Sequence, residues 1–215
     1  SEIMASMSLL ADFVVNHALG ALYAQLVEEF GAPLDERGSP QRLMVIGMGK
    51  LGGRELNVSS DIDLIFIYPE DGHTAGAPTG GRRLENYDFF VRLGKRLITM
   101  LDELTGDGLV FRVDIRLRPN GDSGPLVCSI GSLENYFISQ GREWERYAWI
   151  KARVLNCGQN QQPEWENALQ KTIRPFVYRK YLDFGAINAM NELHAQIRRE
   201  IARKGMDENI KLGPG

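Results

Sequence analysis

Short, uninterrupted runs of large apolar residues mark the strands that this chain is expected to form. Residues 43–46 are all apolar and stop at Gly47, and residues 64–68 form a second run of Leu, Ile, Phe and Tyr. Runs of this length without alternation are typical of fully buried strands. Residues 126–130 form a third short run that predicts a further strand.

Residues 109–119 follow a different pattern, because apolar and charged residues alternate strictly along them. The apolar members are Phe111, Val113, Ile115 and Leu117, and the charged members are Arg112, Asp114, Arg116 and Arg118. This period of two predicts a strand with one face on the core and one face on something polar. Asp114 lies in the middle of that strand, among three arginines.

Five segments carry apolar residues at helical spacing, namely residues 1–30, 84–104, 133–155, 163–173 and 181–204. The first helix is expected to end at Gly31, with Gly20 as a point where it could break. Between the predicted strands and helices, residues 69–83 are rich in Gly, Pro and Thr, which predicts a mobile surface loop.

These elements predict an α+β fold, with a mixed sheet, helices packed mainly on one side of it, and a helical carboxy-terminal region. The strands at residues 43–46, 64–68 and 111–117 are expected to share that sheet. The predicted organisation is a leading helix (1–33), a core (41–156) and a helical region (163–210). The turn-rich end at residues 211–215 suggests a fragment of a longer protein.

Four glycines follow the first predicted strand, and two common phosphate-binding motifs fail to explain them. Gly47, Gly49 and Gly52 have the spacing of a dinucleotide-binding fingerprint. That motif requires a crossover helix and then a strand ending in an acidic residue, whereas only residues 54–60 separate the glycines from Asp61. A Walker A loop requires Ser or Thr after the lysine, and Lys50 is followed by leucine.

A third arrangement fits better, because Gly49-Lys50 is followed after ten residues by Asp61-x-Asp63 at the start of a strand. This resembles the polymerase-β-like nucleotidyltransferases, although those usually have Ser where this chain has Lys50. Carboxylates two residues apart on extended backbone face the same side, and such oxygens suit Mg²⁺. Asp-x-Asp alone is equally typical of a capped turn with solvated acids. Asp114 by itself could be an ion-paired residue on a solvated face, but together with Asp61 and Asp63 it is predicted to be the third carboxylate of a metal site.

Composition narrows the class of protein. The chain has 215 residues, a net charge of −3 and a pI near 5.7, which argues against binding nucleic acid through bulk charge. Two cysteines and three histidines form no zinc or disulfide pattern. We expect no membrane-spanning segment, no signal peptide and a cytoplasmic location.

Three linked segments resemble the family of bifunctional glutamine synthetase adenylyltransferase/adenylyl-removing enzymes. They are GMGKLGGRELNVSSDIDLIF, VFRVDIRLRPNGDSGPL and QGREWERYAWIKARVL, and the likeness covers nearly the whole chain. That family contains two related nucleotidyltransferase domains in one polypeptide. Residues 57–60, the run at 142–146 and the terminal LGPG resemble the amino-terminal half, which removes AMP from a tyrosine of glutamine synthetase.

The resemblance implies a mechanism and a set of site residues. Asp61, Asp63 and Asp114 would be catalytic and would hold two Mg²⁺ ions, with Mn²⁺ as a substitute. The implied phosphate-binding and nucleotide-binding residues are Gly49, Lys50, Gly52, Gly53, Ser60, Arg116 and Arg118. Inorganic phosphate would attack the AMP phosphorus and release ADP. The implied partners are adenylylated glutamine synthetase, the PII signal protein through the full-length enzyme, and phosphate, ADP or ATP.

Three alternatives remain open from the sequence. The chain could be the adenylylating half, which uses ATP, or a nucleotidyltransferase that acts on another substrate. It could also be a non-catalytic module that binds a nucleotide as a signal.

Overall fold

The structure is a computed structural model that describes residues 2–77, 80, 82–106, 108–156 and 163–178. In chain order the elements are α1 (Glu2–Phe30), β1 (Met44–Gly47), α2 (Gly49–Gly52), β2 (Ile62–Tyr68), α3 (Asn86–Asp102), β3 (Val113–Asp114), β4 (Val127–Ser129), α4 (Ile130–Ser139), α5 (Glu143–Ile150), β5 (Arg153–Val154) and α6 (Pro163–Val177). A 3₁₀ turn at Gly121–Ser123 precedes β4. The helix predicted at residues 181–204 lies outside the described residues.

The five strands form one mixed sheet with β2 in its interior. Strand β1 pairs antiparallel with β2, and β5 continues the sheet beyond β1. Strands β3 and β4 both run parallel to β2. The prediction that residues from 43–46, 64–68 and 111–117 share one sheet is therefore confirmed, and so is the α+β class.

Helices cover both faces of this sheet. One face contributes Val45, Leu64 and Phe66 to a core that is completed by α1 and α3. The other face contributes Met44, Ile46 and Ile65 to a second core, which is completed by α4, α5 and α6. The expectation of helices mainly on one side is wrong. Successive strand residues point to opposite faces, so a run that is apolar at every position needs cover on both.

Two predicted elements are shorter than their patterns suggested. Within residues 111–117, only the two residues of β3 pair with β2. The chain turns immediately after β3, and in this turn Arg118 N–H donates to the Ile115 carbonyl at 3.3 Å. The single helix predicted at residues 133–155 is in fact α4, α5 and β5. The break occurs where the buried Glu145 carboxylate accepts hydrogen bonds from Arg142 N–H (2.7 Å) and the Tyr136 hydroxyl (2.6 Å).

Helix α1 runs unbroken through Gly20 and ends at Gly31, whose φ of +76° stops the helix. It is long and apolar enough to meet the length and composition criteria for a membrane span, contrary to the sequence expectation. The same criteria are met by core helices of soluble proteins, and one side of α1 packs on α3. Its inner face contributes Ala11, Val15 and Leu26 to the core.

Candidate active site

A cavity of about 380 Å³ opens where β2, β3, α2 and α5 meet. The residues that line it are Gly49, Lys50, Ser60, Asp61, Asp63, Asp114, Tyr147, Ala148 and Lys151. All three of the predicted catalytic carboxylates therefore reach one cavity, together with Gly49, Lys50 and Ser60 from the predicted phosphate-binding turn.

The register of the sheet explains how distant carboxylates meet. Strands β2 and β3 are parallel, and Asp63 lies directly beside Asp114. Backbone hydrogen bonds fix this position, because Ile62 N–H donates to the Arg112 carbonyl and Met48 N–H donates to the Asp63 carbonyl, both at 2.9 Å. Asp61 immediately precedes β2. The sheet thus delivers Asp114 to the Asp-x-Asp pair.

The three carboxylates have different electrostatic surroundings. Burial, together with the neighbouring charges of Asp114 and Asp61, raises the pKa of Asp63 to about 6. The pKa of Asp114 is lowered instead, because the Arg116 side chain donates to its carboxylate, at 2.9 Å from Nε to Oδ2. Arg112 forms the equivalent pair with Asp61, at 2.6 Å from Nε to Oδ1. Asp63 is therefore a carboxylate whose negative charge is disfavoured in the folded protein, whereas Asp61 and Asp114 each pair with an arginine.

The donor set suits a hard divalent cation, although the described residues contain no group of three His, Cys, Asp or Glu side chains already spaced as a formed metal site. Two of the carboxylates point to arginines. Burial is the main cause of the raised pKa of Asp63, and the charges of Asp114 and Asp61 add to it; a divalent cation would compensate these charges. In chemical type, the three carboxylates are ligands that Mg²⁺ or Mn²⁺ prefers, but their present spacing is not that of a formed metal site.

Two of the glycines are required by close approach of the chain, each for a different reason. Gly49 has a φ of +52°, and a Cβ there would lie 2.6 Å from Asp63 Oδ2. A Cβ on Gly52 would lie 2.2 Å from the Lys151 carbonyl, so this glycine allows the α5–β5 connection to pack on α2. Among the described residues, Gly52 and Gly53 do not line the cavity. Their predicted phosphate contacts remain predictions.

The two arginines predicted to hold phosphate already have other contacts. Arg116 is exposed and pairs with Asp114. Arg118 is 9% exposed, and its guanidinium donates to three backbone carbonyls, those of Ile115, Asp122 and Gly124. Arg118 therefore holds the turn after β3 in shape. Neither arginine lines the cavity among the described residues.

Three further residues of the cavity lining were not predicted as site residues from the sequence. They belong to α5 and the residue that follows it, and they are Tyr147, Ala148 and Lys151. The available signal was weak: Tyr147 and Lys151 are four residues apart and share a helix face. Lys151 also pairs with Glu55, at 3.0 Å from Nζ to Oε2. The cavity lining thus combines three carboxylates with Tyr147, Lys50 and Lys151.

Comparison with known proteins identifies close relatives. Residues 1–169 match the sequence profile of a family described as glutamate-ammonia ligase adenylyltransferase. Over 215 residues the chain is 60% identical to a bifunctional glutamine synthetase adenylyltransferase/adenylyl-removing enzyme of Aromatoleum aromaticum, covering 100% of this chain and 22% of that relative. A protein of the same name from Chromobacterium violaceum is 58% identical over 215 residues, which is 100% of this chain and 23% of the relative.

A third relative with this name, from Nitrosomonas eutropha, is 52% identical over 219 residues and is also matched over 23% of its length. The chain thus spans less than a quarter of these curated relatives. Their names describe two activities, addition and removal of an adenylyl group on glutamine synthetase.

Proposed function

Because the chain belongs to the glutamate-ammonia ligase adenylyltransferase family, we propose that it is the nucleotidyltransferase domain that removes AMP from adenylylated glutamine synthetase. The observation that carries this proposal is the convergence of Asp61, Asp63 and Asp114 on one cavity beside Lys50. We further propose the polymerase-β-like fold for this domain. Support comes from the sheet, in which the Asp-x-Asp strand lies beside the strand that carries the third carboxylate.

The proposed reaction is a phosphorolysis at the AMP phosphorus. An oxygen of inorganic phosphate forms a new P–O bond to that phosphorus as the P–O bond to the tyrosyl oxygen breaks. The products are ADP and unmodified tyrosine, whose oxygen receives the proton that the attacking phosphate loses. Lys50 and Lys151 line the cavity and place positive charge near the phosphates. Positioning and charge stabilisation are the main demands of this chemistry.

Asp61, Asp63 and Asp114 would hold the Mg²⁺ or Mn²⁺ ions that the family resemblance implies. When bound, such ions neutralise charge on the attacking and leaving oxygens. A cation at Asp61 and Asp114 would compete with Arg112 and Arg116 for these carboxylates, since each arginine now pairs with one of them. The two arginines would then be free to turn toward phosphate. Arg116 would then bind phosphate, as predicted from the sequence, instead of pairing with Asp114.

The direct test is incubation of the chain with adenylylated glutamine synthetase, phosphate and Mg²⁺, with ADP as the measured product. Omitting phosphate should abolish ADP formation. The parallel reaction of unmodified glutamine synthetase with ATP tests the adenylylating activity that the relatives' names also contain. Formation of AMP-tyrosine in that reaction, with no ADP in the first, would overturn the proposal. In the cell we place this reaction in the cytoplasm, with PII acting through the rest of the enzyme.

Tyr147 is the residue of the cavity lining best suited to the adenine ring. It is an aromatic residue in the same lining as the carboxylates, and base–aromatic stacking contributes about 1–3 kcal/mol. We expect Tyr147→Ala to weaken ADP binding by about tenfold and Tyr147→Phe to retain it. Isothermal titration of ADP with Mg²⁺ measures both. Equal affinity in wild type and Tyr147→Ala would exclude stacking on this ring.

Metal binding is expected to be weak alone and stronger with phosphate or nucleotide. Three neighbouring carboxylates attract Mg²⁺, but this ion usually completes its shell with phosphate oxygens and water. We expect phosphate or ADP to raise Mg²⁺ affinity by at least about tenfold, measured by calorimetry. Tight nucleotide binding that a chelator leaves unchanged would contradict a site bridged by metal.

Asp63 should destabilise the metal-free protein at neutral pH. Its pKa rises from 3.8 to about 6 on folding, so the folded state holds this proton more tightly than the unfolded chain does. Stability is therefore lost as pH rises from about 4 to about 6, and no further change from this group follows above that range. We expect Asp63→Asn to raise the free energy of unfolding by roughly 1–2 kcal/mol at pH 7.5 and by nothing at pH 3.5.

The measurement for Asp63 is urea unfolding with a chelator present at both pH values. Asp122→Asn is the control, because Asp122 is 78% exposed and lies outside the cavity lining. If Asp63→Asn raises the free energy of unfolding equally at pH 3.5 and pH 7.5, ionisation of Asp63 does not destabilise the folded protein.

A further inference from the structure

The guanidinium of Arg153 contacts the predicted phosphate-binding turn at Leu51 and Gly52, which are not among the described residues that line the cavity. Nη2 donates to the Leu51 carbonyl at 3.0 Å, and Nε donates to the Gly52 carbonyl at 3.3 Å. The same group forms two hydrogen bonds with Asp12 of α1, at 2.7 Å from Nη1 to Oδ2 and 3.0 Å from Nη2 to Oδ1. One side chain thus connects β5, α2 and α1.

Helix α2 needs support of this kind. It is four residues long, and a single helical turn has little stability of its own. Carbonyls at the end of a helix lack partners within that helix. Arg153 donates to the Gly52 carbonyl, and it adds a second hydrogen bond to the Leu51 carbonyl, which also accepts from Arg54 N–H at 3.1 Å. The two residues at the start of α2, Gly49 and Lys50, line the cavity. A shift of α2 would therefore move the side that faces the ligand.

Asp12 holds the arginine in this orientation. The side chains of Arg153 and Asp12 are 21% and 18% exposed, so the pair is largely shielded from water. Asp12 binds through both carboxylate oxygens, which fixes the plane of the guanidinium. A lysine at position 153 could keep the charge, but its single ammonium group could not span the carboxylate and both carbonyls.

We propose that Arg153 is a positioning residue that fixes the phosphate-binding turn of α2 relative to the carboxylates, with Asp12 of α1 orienting its guanidinium. Arg153 does not line the cavity among the described residues, so it acts through Gly49 and Lys50. The expected change in the KM for phosphate rests on the proposed function, whereas the expected change in hydrogen exchange of the turn does not. It assigns α1 a part in the geometry of the site.

The first measurement is hydrogen–deuterium exchange, which needs no substrate. Arg153→Met should accelerate exchange of the amides in residues 49–56 by about tenfold, whereas those of β2 should change little. Arg153→Lys should accelerate exchange in the same segment, because a charge alone does not restore the carbonyl contacts. Asp12→Asn keeps a hydrogen-bonding side chain and should give a smaller effect. Unchanged exchange at residues 49–56 in Arg153→Met would overturn the proposal.

The second measurement is the rate of ADP formation. Arg153→Met should raise the KM for phosphate by about tenfold and lower kcat by less than about threefold, because the turn binds phosphate but is displaced, not removed. Arg153→Lys should leave most of that KM increase in place. Full recovery of the KM in Arg153→Lys would mean that charge alone suffices and would overturn the positioning role.

Arg96→Met is the matched control. Arg96 also joins α1 to the rest of the fold, through Glu29, at 3.2 Å from Nη2 to Oε2, but it contacts α1 from α3 and not from the turn. It should change neither the exchange at residues 49–56 nor the KM for phosphate. An equal effect of Arg96→Met would show general loosening of α1 and would overturn the proposal. If wild type forms no ADP, the proposed function fails, and hydrogen–deuterium exchange alone then decides the role of Arg153.

Discussion

Asp114→Asn is expected to lower the rate of AMP removal by about 10²–10⁴-fold while changing the stability of the metal-free protein little. Asparagine keeps the size of the side chain but removes the negative charge that a second cation would require. Asp114 lies beside Asp63 in the sheet and lines the same cavity. The loss should therefore appear in turnover at saturating Mg²⁺ and phosphate.

The stability of this variant separates two roles of the same carboxylate. Arg116 lowers the pKa of Asp114 by donating hydrogen bonds to it, so the substitution loses a favourable pair. The same substitution relieves the repulsion that Asp114 exerts on Asp63. The Arg116 side chain is 72% exposed, and such exposed pairs contribute about 0–1 kcal/mol. The two changes oppose one another, and the thermal midpoint should move by only a few degrees.

Asp122→Asn provides the comparison, because it removes a carboxylate from the same region outside the cavity lining. Its rate of ADP formation should match wild type. Near-normal turnover in Asp114→Asn would mean that this residue only pairs with Arg116. The case for a site with three carboxylates would then be lost.

Gly49→Ala should reduce turnover by about 10²-fold or more, because the new Cβ enters the space used by Asp63. The contact distance would be 2.6 Å to Oδ2, and the φ of +52° adds strain for any residue with a Cβ. Relief requires either the turn or the Asp63 carboxylate to move. Both changes disturb the relation between the phosphate-binding turn and the carboxylates.

Gly53→Ala is the matched control for this substitution. Gly53 has a φ of −76°, and the nearest atom to a new Cβ is the flexible Lys151 Cδ at 3.3 Å. Its activity should remain within about threefold of wild type. Equal losses in Gly49→Ala and Gly53→Ala would point to a general effect on the turn. Circular dichroism of both variants checks that the fold is retained.

Local patterns in the sequence predicted most of the sheet. Fully apolar runs identified β1 and β2, because burial on both faces leaves no place for a polar residue. Strands that are apolar at every position also require helices on both sides of the sheet, whereas the prediction from the sequence was helices mainly on one side. The alternation at residues 109–119 identified β3 but not its length, since the turn after it depends on the contacts of Arg118 with backbone carbonyls.

Helix boundaries were less predictable where a buried polar residue decided them. Residues 133–155 have helical spacing throughout, yet Glu145 caps α5 and contacts Tyr136 of α4. A buried carboxylate that caps a helix does not alter the spacing of apolar residues, so this spacing does not show where the helix begins. Tyr147 and Lys151 line the cavity from α5 and the residue after it. Their place in the lining could not be predicted without the break between α4 and α5.

The sequence by itself determined the core strands, and it predicted the carboxylates at positions 61, 63 and 114 as candidate site residues. The strands and the Asp-x-Asp pair follow from periodicity and residue chemistry within about ten positions. The tertiary structure decided which charges meet. Asp12 and Arg153 are separated by 141 positions, and Glu55 and Lys151 by 96. Such partners are chosen by packing and sheet register, which bring together residues that no local pattern relates.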